Sequence, residues 1–147
     1  MDLITLDFET YYDKDYSLRK MTTEAYVRDP RFEVIGVAVR VNNGETEWAS
    51  GTYEQIKKYL KTFNWGEAML LCHNTMFDGA ILNWRFDICP RMYTDTLCIA
   101  RALHGTEARA SLAALSERYN IGVKGTEVLD ALGKRRGDFG PEELSAY

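Results

Sequence analysis

Residues 3–10 read LITLDFET, an apolar run rich in strand formers that closes on two acids. Leu3 to Phe8 at the chain start predicts a central, buried strand. Strand side chains alternate between faces, so Asp7 and Glu9, two apart, must project from the same side. Two neighbouring carboxylates call for a counter-charge, and hard divalent cations such as magnesium or manganese prefer oxygen ligands of this kind. Taken alone, the pair also fits an exposed strand end.

The second informative stretch is residues 68–78, AMLLCHNTMFD. Ala68 to His73 is a short apolar run, and Asn74-Thr75 leads into a helix beginning near Met76 that carries Ile81, Leu82 and Trp84. Asp78 therefore sits in the first turn of that helix at one edge of the sheet. An acid there also complements the helix dipole without any metal. His73 reads as a satisfied core histidine.

Between these stretches, 11–30 is polar, charged and aromatic without a clean period, and predicts a long loop with one short helical turn. Phe32 to Val41, the turn Asn42-Asn43-Gly44 and Glu45 to Ala49 form a hairpin. Thr52 caps a helix over Tyr53 to Phe63, whose apolar residues recur at helical spacing. Further on, Arg91 to Thr94 is a last short strand. Asp95 caps a helix over Thr96 to His104, Ser111 caps another over Leu112 to Tyr119, and Pro141 opens a closing helix. Strands at the front followed by strands alternating with helices specify an α/β fold, a mixed sheet flanked by helices.

The chain has 147 residues, suited to one domain, and its 46% apolar and 27% charged composition is that of an ordinary globular protein. A net charge of −4 removes the broad electrostatic footprint of a protein that grips duplex nucleic acid by charge, so any such contact must be local. Lys134-Arg135-Arg136 with Lys124, and Arg19-Lys20 with Arg28 and Arg31, offer local basic patches or solvated faces. Cys72, Cys89 and Cys98 lack disulfide or zinc spacing and suggest free thiols in a reducing compartment. The acidic start gives no secretory signal and no apolar stretch reaches membrane-spanning length, so the expected location is cytoplasmic.

Taken together, LDFET and HNTMFD resemble the first two motifs of the DnaQ-like, or DEDD, family of 3′→5′ exonucleases. YTDTLCIARAL is similar to the stretch between that family's second and third motifs. EVLDALGKRRGDFGPEELSAY resembles the approach to the third motif in polymerases of bacteria and bacterial viruses. The resemblance implies a ribonuclease H-like five-stranded mixed sheet and a two-metal site for Mg²⁺ or Mn²⁺. In it Asp7 bridges two ions, Glu9 holds the ion that activates water, and Asp78 reaches the other, partly through water. It implies that Tyr147 is the tyrosine of the third motif, with the fourth carboxylate four residues further on, outside this sequence. The expectation is therefore one exonuclease domain over 1–147, cut short at its C-terminal end.

The same resemblance implies that Phe8, Thr10, Asn74 and Phe77 meet the 3′-terminal nucleotides. Thr10 also fits a local turn, Phe77 plain core, and Asp95 either a secondary role at the site or the helix cap. The implied activity is removal of the terminal nucleotide from single-stranded DNA, with a polymerase domain following in the same chain and no membrane partner. Two alternatives stand beside it: a catalytically incomplete nucleic-acid-binding module, and an RNase D-like exoribonuclease.

Overall fold

The computed structural model describes residues 1–122 and 131–146, so Tyr147 and Lys124 lie outside the described residues. Five strands form one sheet: β1 (Asp2–Thr10), β2 (Val34–Val41), β3 (Thr46–Ser50), β4 (Ala68–Cys72) and β5 (Met92–Asp95), in the order β3-β2-β1-β4-β5. β1 is antiparallel to β2 and parallel to β4, so the sheet is mixed. Helices α1 (Thr23–Arg28), α2 (Tyr53–Leu60), α3 (Thr75–Phe86), α4 (Thr96–His104), α5 (Leu112–Tyr119) and α6 (Pro141–Ala146) flank it. The expected α/β, ribonuclease H-like sheet with flanking helices is the fold observed.

Local chemistry sets most boundaries. Thr52 and Gln55 form a reciprocal capping box at α2, Ser111 accepts from Ala114 N at α5, and Asp95 accepts from Leu97 N at α4. The helix read as Tyr53 to Phe63 stops earlier, at Leu60. The expected loop over 11–30 holds one short helix, α1, capped by Thr22.

Alternation in β1 buries Ile4, Leu6, Phe8 and Thr10 on one face and turns Leu3, Thr5, Asp7 and Glu9 to the other. The buried face joins Val37, Val39 and Leu70 of the neighbouring strands to Tyr26 and Val27 of α1, Ile56 and Leu60 of α2, and Ile81, Leu82 and Phe86 of α3. Helices α1 to α3 thus cover one side of the sheet. A smaller cluster of Ile35, Ala131 and Phe139 fastens the C-terminal segment to β2.

Phe86 is fully buried, stacked at 5.7 Å on Phe8 and at 5.2 Å on Tyr53. Phe86→Ala should therefore lower unfolding free energy by about 3–5 kcal/mol, seen as a reduced urea midpoint at unchanged slope. A loss under about 1 kcal/mol would show that this contact does not anchor α3 to β1.

Candidate active site

The site follows from a divergence of strands. β1 pairs with β4 only from Asp2–Ala68 to Thr5–Leu71, whereas its pairing with β2 continues to Thr10. Past Thr5 the two parallel strands part at their carboxyl ends, the usual place for a ligand crevice in an α/β sheet. Into that gap α3 inserts its first turn. The backbone N–H of Phe8, which has no partner strand there, donates to Asp78 Oδ1 at 2.9 Å.

Asp78 is 2% exposed. Burial pushes its carboxyl up to about 8, and the charges of Asp7 and Glu9 push the same way while the Phe8 N–H opposes them. The Cys72 thiol, also raised by burial and then by Asp78 and Asp7, marks the same acidic neighbourhood. The structure therefore gathers the three carboxylates named from the sequence at one end of β1.

Small partners leave room over the acids. Asp7 pairs with Ala38 and Glu9 with Gly36, and the register shifts just after Glu9. Trp48 of β3 pairs with Ala38 and lies against Gly36, where an added Cβ would collide with its indole ring. Trp48 thus shares the sheet face of Asp7 and Glu9. No sequence motif pointed to Trp48, although a glycine inside a β-branched strand is a sign of close approach.

The remaining candidates separate. Asn74 is exposed in a left-handed conformation at the start of α3, and its N–H donates to Asp95 Oδ1 at 2.9 Å. Asp95 serves as the α4 cap and as the anchor of this turn. Phe77 is half-buried, 5.9 Å from the Tyr26 ring.

Phe8 and Thr10 do not reach the open face. Alternation carries Phe8 into the core, 3% exposed, where it contributes through the N–H that holds Asp78. Thr10 is 9% exposed, with its hydroxyl 2.8 Å from Tyr26 Oη. His73 is half-buried and bonded to Thr96 Oγ1 at 2.9 Å, satisfied as expected.

The tyrosines of 11–30 carry the support that the loop reading missed. Tyr26 Oη donates its one hydrogen to Tyr11 O, so Thr10 must be the donor to Tyr26 Oη. Tyr16 stacks on Tyr26 at 4.4 Å and donates to its carbonyl at 2.7 Å. Tyr26 therefore braces both Thr10 and Phe77. Tyr26→Phe would strand two buried polar groups and should cost about 2 kcal/mol in urea unfolding; an unchanged midpoint would mean these groups find other partners.

Among the described residues, no group of three His, Cys, Asp or Glu side chains is arranged to hold a metal ion. Magnesium commonly takes only one or two carboxylates, with water and substrate phosphate completing its shell. The donors here are all carboxylate oxygens, and Asp78 is buried with a carboxyl that resists ionisation beside two other acids. Hard divalent cations held by pairs of these acids fit that set; zinc, which favours sulfur and nitrogen, does not.

No family model and no curated protein matches the sequence. The structure is similar to that of Brucella melitensis NrnC, with a TM-score of 0.68 at 13% identity over 97% of this chain and 63% of that one. The fold they share is the ribonuclease H-like mixed sheet with flanking helices. NrnC with bound Mg²⁺ matches at 0.67 and NrnC bound to pGG at 0.64. The family B DNA polymerase of the hyperthermophilic archaeon Pyrobaculum calidifontis matches at 0.56 and 15% identity, over 83% of this chain and 18% of the polymerase. This chain thus spans about 63% of the length of the NrnC structures it resembles. These neighbours are not bacterial DnaQ-type polymerase domains, so the bacterial or viral polymerase setting expected from the sequence gains no support from them. Among the described residues no helix is long and apolar enough to cross a membrane.

Proposed function

We propose that this chain is the nuclease domain of a divalent-metal-dependent 3′→5′ exonuclease. The observation that carries the reading is the buried Asp78, inserted between the diverging ends of β1 and β4 beside Asp7 and Glu9. Burial and the charges of Asp7 and Glu9 keep a proton on Asp78, and a cation bound there would take that proton's place. When bound, such cations would acidify water and neutralise charge developing on the phosphoryl oxygens.

The chain's own residues supply the rest. Asp7 and Glu9 would hold cations on the open sheet face, and Asp78, fixed by the Phe8 N–H, would hold cation charge at its edge. Asn74 and the half-buried Phe77, at the start of α3, orient the terminal nucleotide, Phe77 by stacking. Trp48 adds an aromatic surface on the face of the acids. In the family that the sequence resembles, a tyrosine matched here by Tyr147 and an Asp four residues after it complete the set.

The substrate proposed first is the 3′ end of single-stranded DNA, in keeping with the polymerase-like segments of the sequence and the polymerase among the structural neighbours. A short-RNA substrate is the second reading, favoured by the likeness to NrnC bound to pGG. The deciding assay offers 5′-labelled DNA and RNA strands of equal length, and pGG, to the protein with Mg²⁺ or Mn²⁺. Shortening from the 3′ end of DNA alone supports the first reading, and preference for RNA or pGG the second. No cleavage of any substrate would leave the nucleic-acid-binding module.

A further inference from the structure

On the helix side of the sheet, across from Asp7 and Glu9, a cavity of about 320 Å³ opens between the segment entering β2, the start of α2 and the end of α3. Phe32, Tyr53, Phe86, Glu33, Arg85 and Arg136 contribute to its walls. Phe86 stacks on Phe8, whose side chain points away from the face of the acids, so this cavity is not part of the candidate active site.

Its charge is unbalanced. Glu33, the acid in the wall, is already used: Oε2 accepts from Arg135 Nη1 at 2.6 Å and Oε1 from the Arg136 backbone N–H at 3.0 Å. Arg85 lays its guanidinium 5.1 Å from the Phe32 ring centroid, and Lys57 stands 5.3 Å above the Tyr53 ring nearby. Among the described residues, no carboxylate pairs with the side chain of Arg85 or Arg136. Both arginines are half-buried, so part of their hydration is already lost.

A partly desolvated cation seeks an acceptor, and the planar fork of arginine matches phosphate oxygens two at a time. The chain as a whole carries −4, so a cationic cavity stands against the protein's mean field. Tyr53 is held between Phe86 and Lys57, which leaves the guanidiniums and the ammonium, rather than a stacking platform, as the recognition chemistry.

We propose that this cavity is a second, non-catalytic site for a phosphate group, contacted by Arg85 and Arg136 with Lys57 at its margin. The phosphate is borne either on the backbone of a strand or on a free nucleotide. The site stands whether or not the acids on the other face cut anything.

The test uses the Asp7→Ala protein in EDTA, so that metal-held phosphate makes no contribution. Binding of fluorescein-labelled oligothymidylate is followed by anisotropy, and that of adenosine 5′-monophosphate and inorganic phosphate by calorimetry. Arg136→Gln, which keeps the backbone N–H to Glu33, should weaken binding roughly tenfold, the size of one charge-assisted hydrogen bond. Lys61→Gln, an exposed lysine just past α2, should change it little. Arg85→Gln should act like Arg136→Gln, with circular dichroism confirming that loss of the Phe32 contact leaves the fold intact.

Weakening seen for oligothymidylate alone assigns the cavity to the strand backbone, and weakening for the monophosphate as well assigns it to free nucleotides. Equal affinity in the Asp7→Ala protein with and without Arg136→Gln or Arg85→Gln, or no measurable binding of any of the three probes, overturns the proposal.

Discussion

Asp7→Ala should abolish nuclease turnover, with a fall of about 10³-fold or more in kcat, because cation charge at the reacting phosphate is worth several kcal/mol and each 1.36 kcal/mol is tenfold in rate. Asp7 is exposed on β1, opposite Ala38, so its removal creates no cavity and leaves the core face of the strand untouched. The melting temperature should therefore stay within a few degrees while activity disappears. The measurement is single-turnover cleavage of a 5′-labelled strand at saturating Mg²⁺. A variant that retains more than about a tenth of wild-type turnover would remove Asp7 from the machinery. Glu9→Ala should behave alike, although its neighbour Gly36 under Trp48 allows some local resettling.

Asp78→Asn should flatten the pH dependence of stability in metal-free protein. With its carboxyl raised to about 8, Asp78 stays protonated in the fold over a range where the unfolded chain, with an ordinary carboxyl, has lost that proton. The stabilising contribution is complete below about pH 4, falls as pH rises through the window, and is gone above about pH 8, a swing of up to about 6 kcal/mol. In EDTA the wild type should thus melt well above its pH 8.5 value at pH 5.5. Asn keeps an acceptor for the Phe8 N–H and cannot ionise, so the variant should lose most of that difference.

Several other groups tilt the opposite way. The Asp13 carboxyl is held low by its Tyr11 hydrogen bond, and that of Asp29 is held down to about 2 by Arg31, so both favour the fold as pH rises. Subtracting the variant's profile from the wild type's removes them. Adding Mg²⁺ at pH 8.5 should raise the wild-type melting temperature, because ligands that bind only the folded state stabilise it, and should do little for Asp78→Asn. Superimposable profiles in EDTA would mean that Asp78 ionises normally and is hydrated rather than buried against β1.

Much of the fold was legible because its signals are local. Thr52, Asp95 and Ser111 cap their helices through contacts spanning two or three residues, and the alternation in LITLDFET fixes which side chains of β1 share a face. The presence of Asp78 in a first helical turn was readable for the same reason. The end of α2 at Leu60 was not, since Phe63 continues the apolar period while the chain turns to bring Trp65 Nε1 onto Leu60 O.

The sequence by itself determined the acids, their order, and the strand and helix that carry them. Only the tertiary structure decided that they lie together at one end of β1. The parting of β1 from β4 after Thr5, the Phe8 N–H that reaches Asp78 across 70 positions, the Trp48 ring on Gly36 and the tyrosines that brace Thr10 and Phe77 depend on packing between distant segments. The same packing sent Phe8 and Thr10 to the core face. Alternation alone says that they oppose Asp7 and Glu9, but which face is open is settled by where α1, α2 and α3 lie.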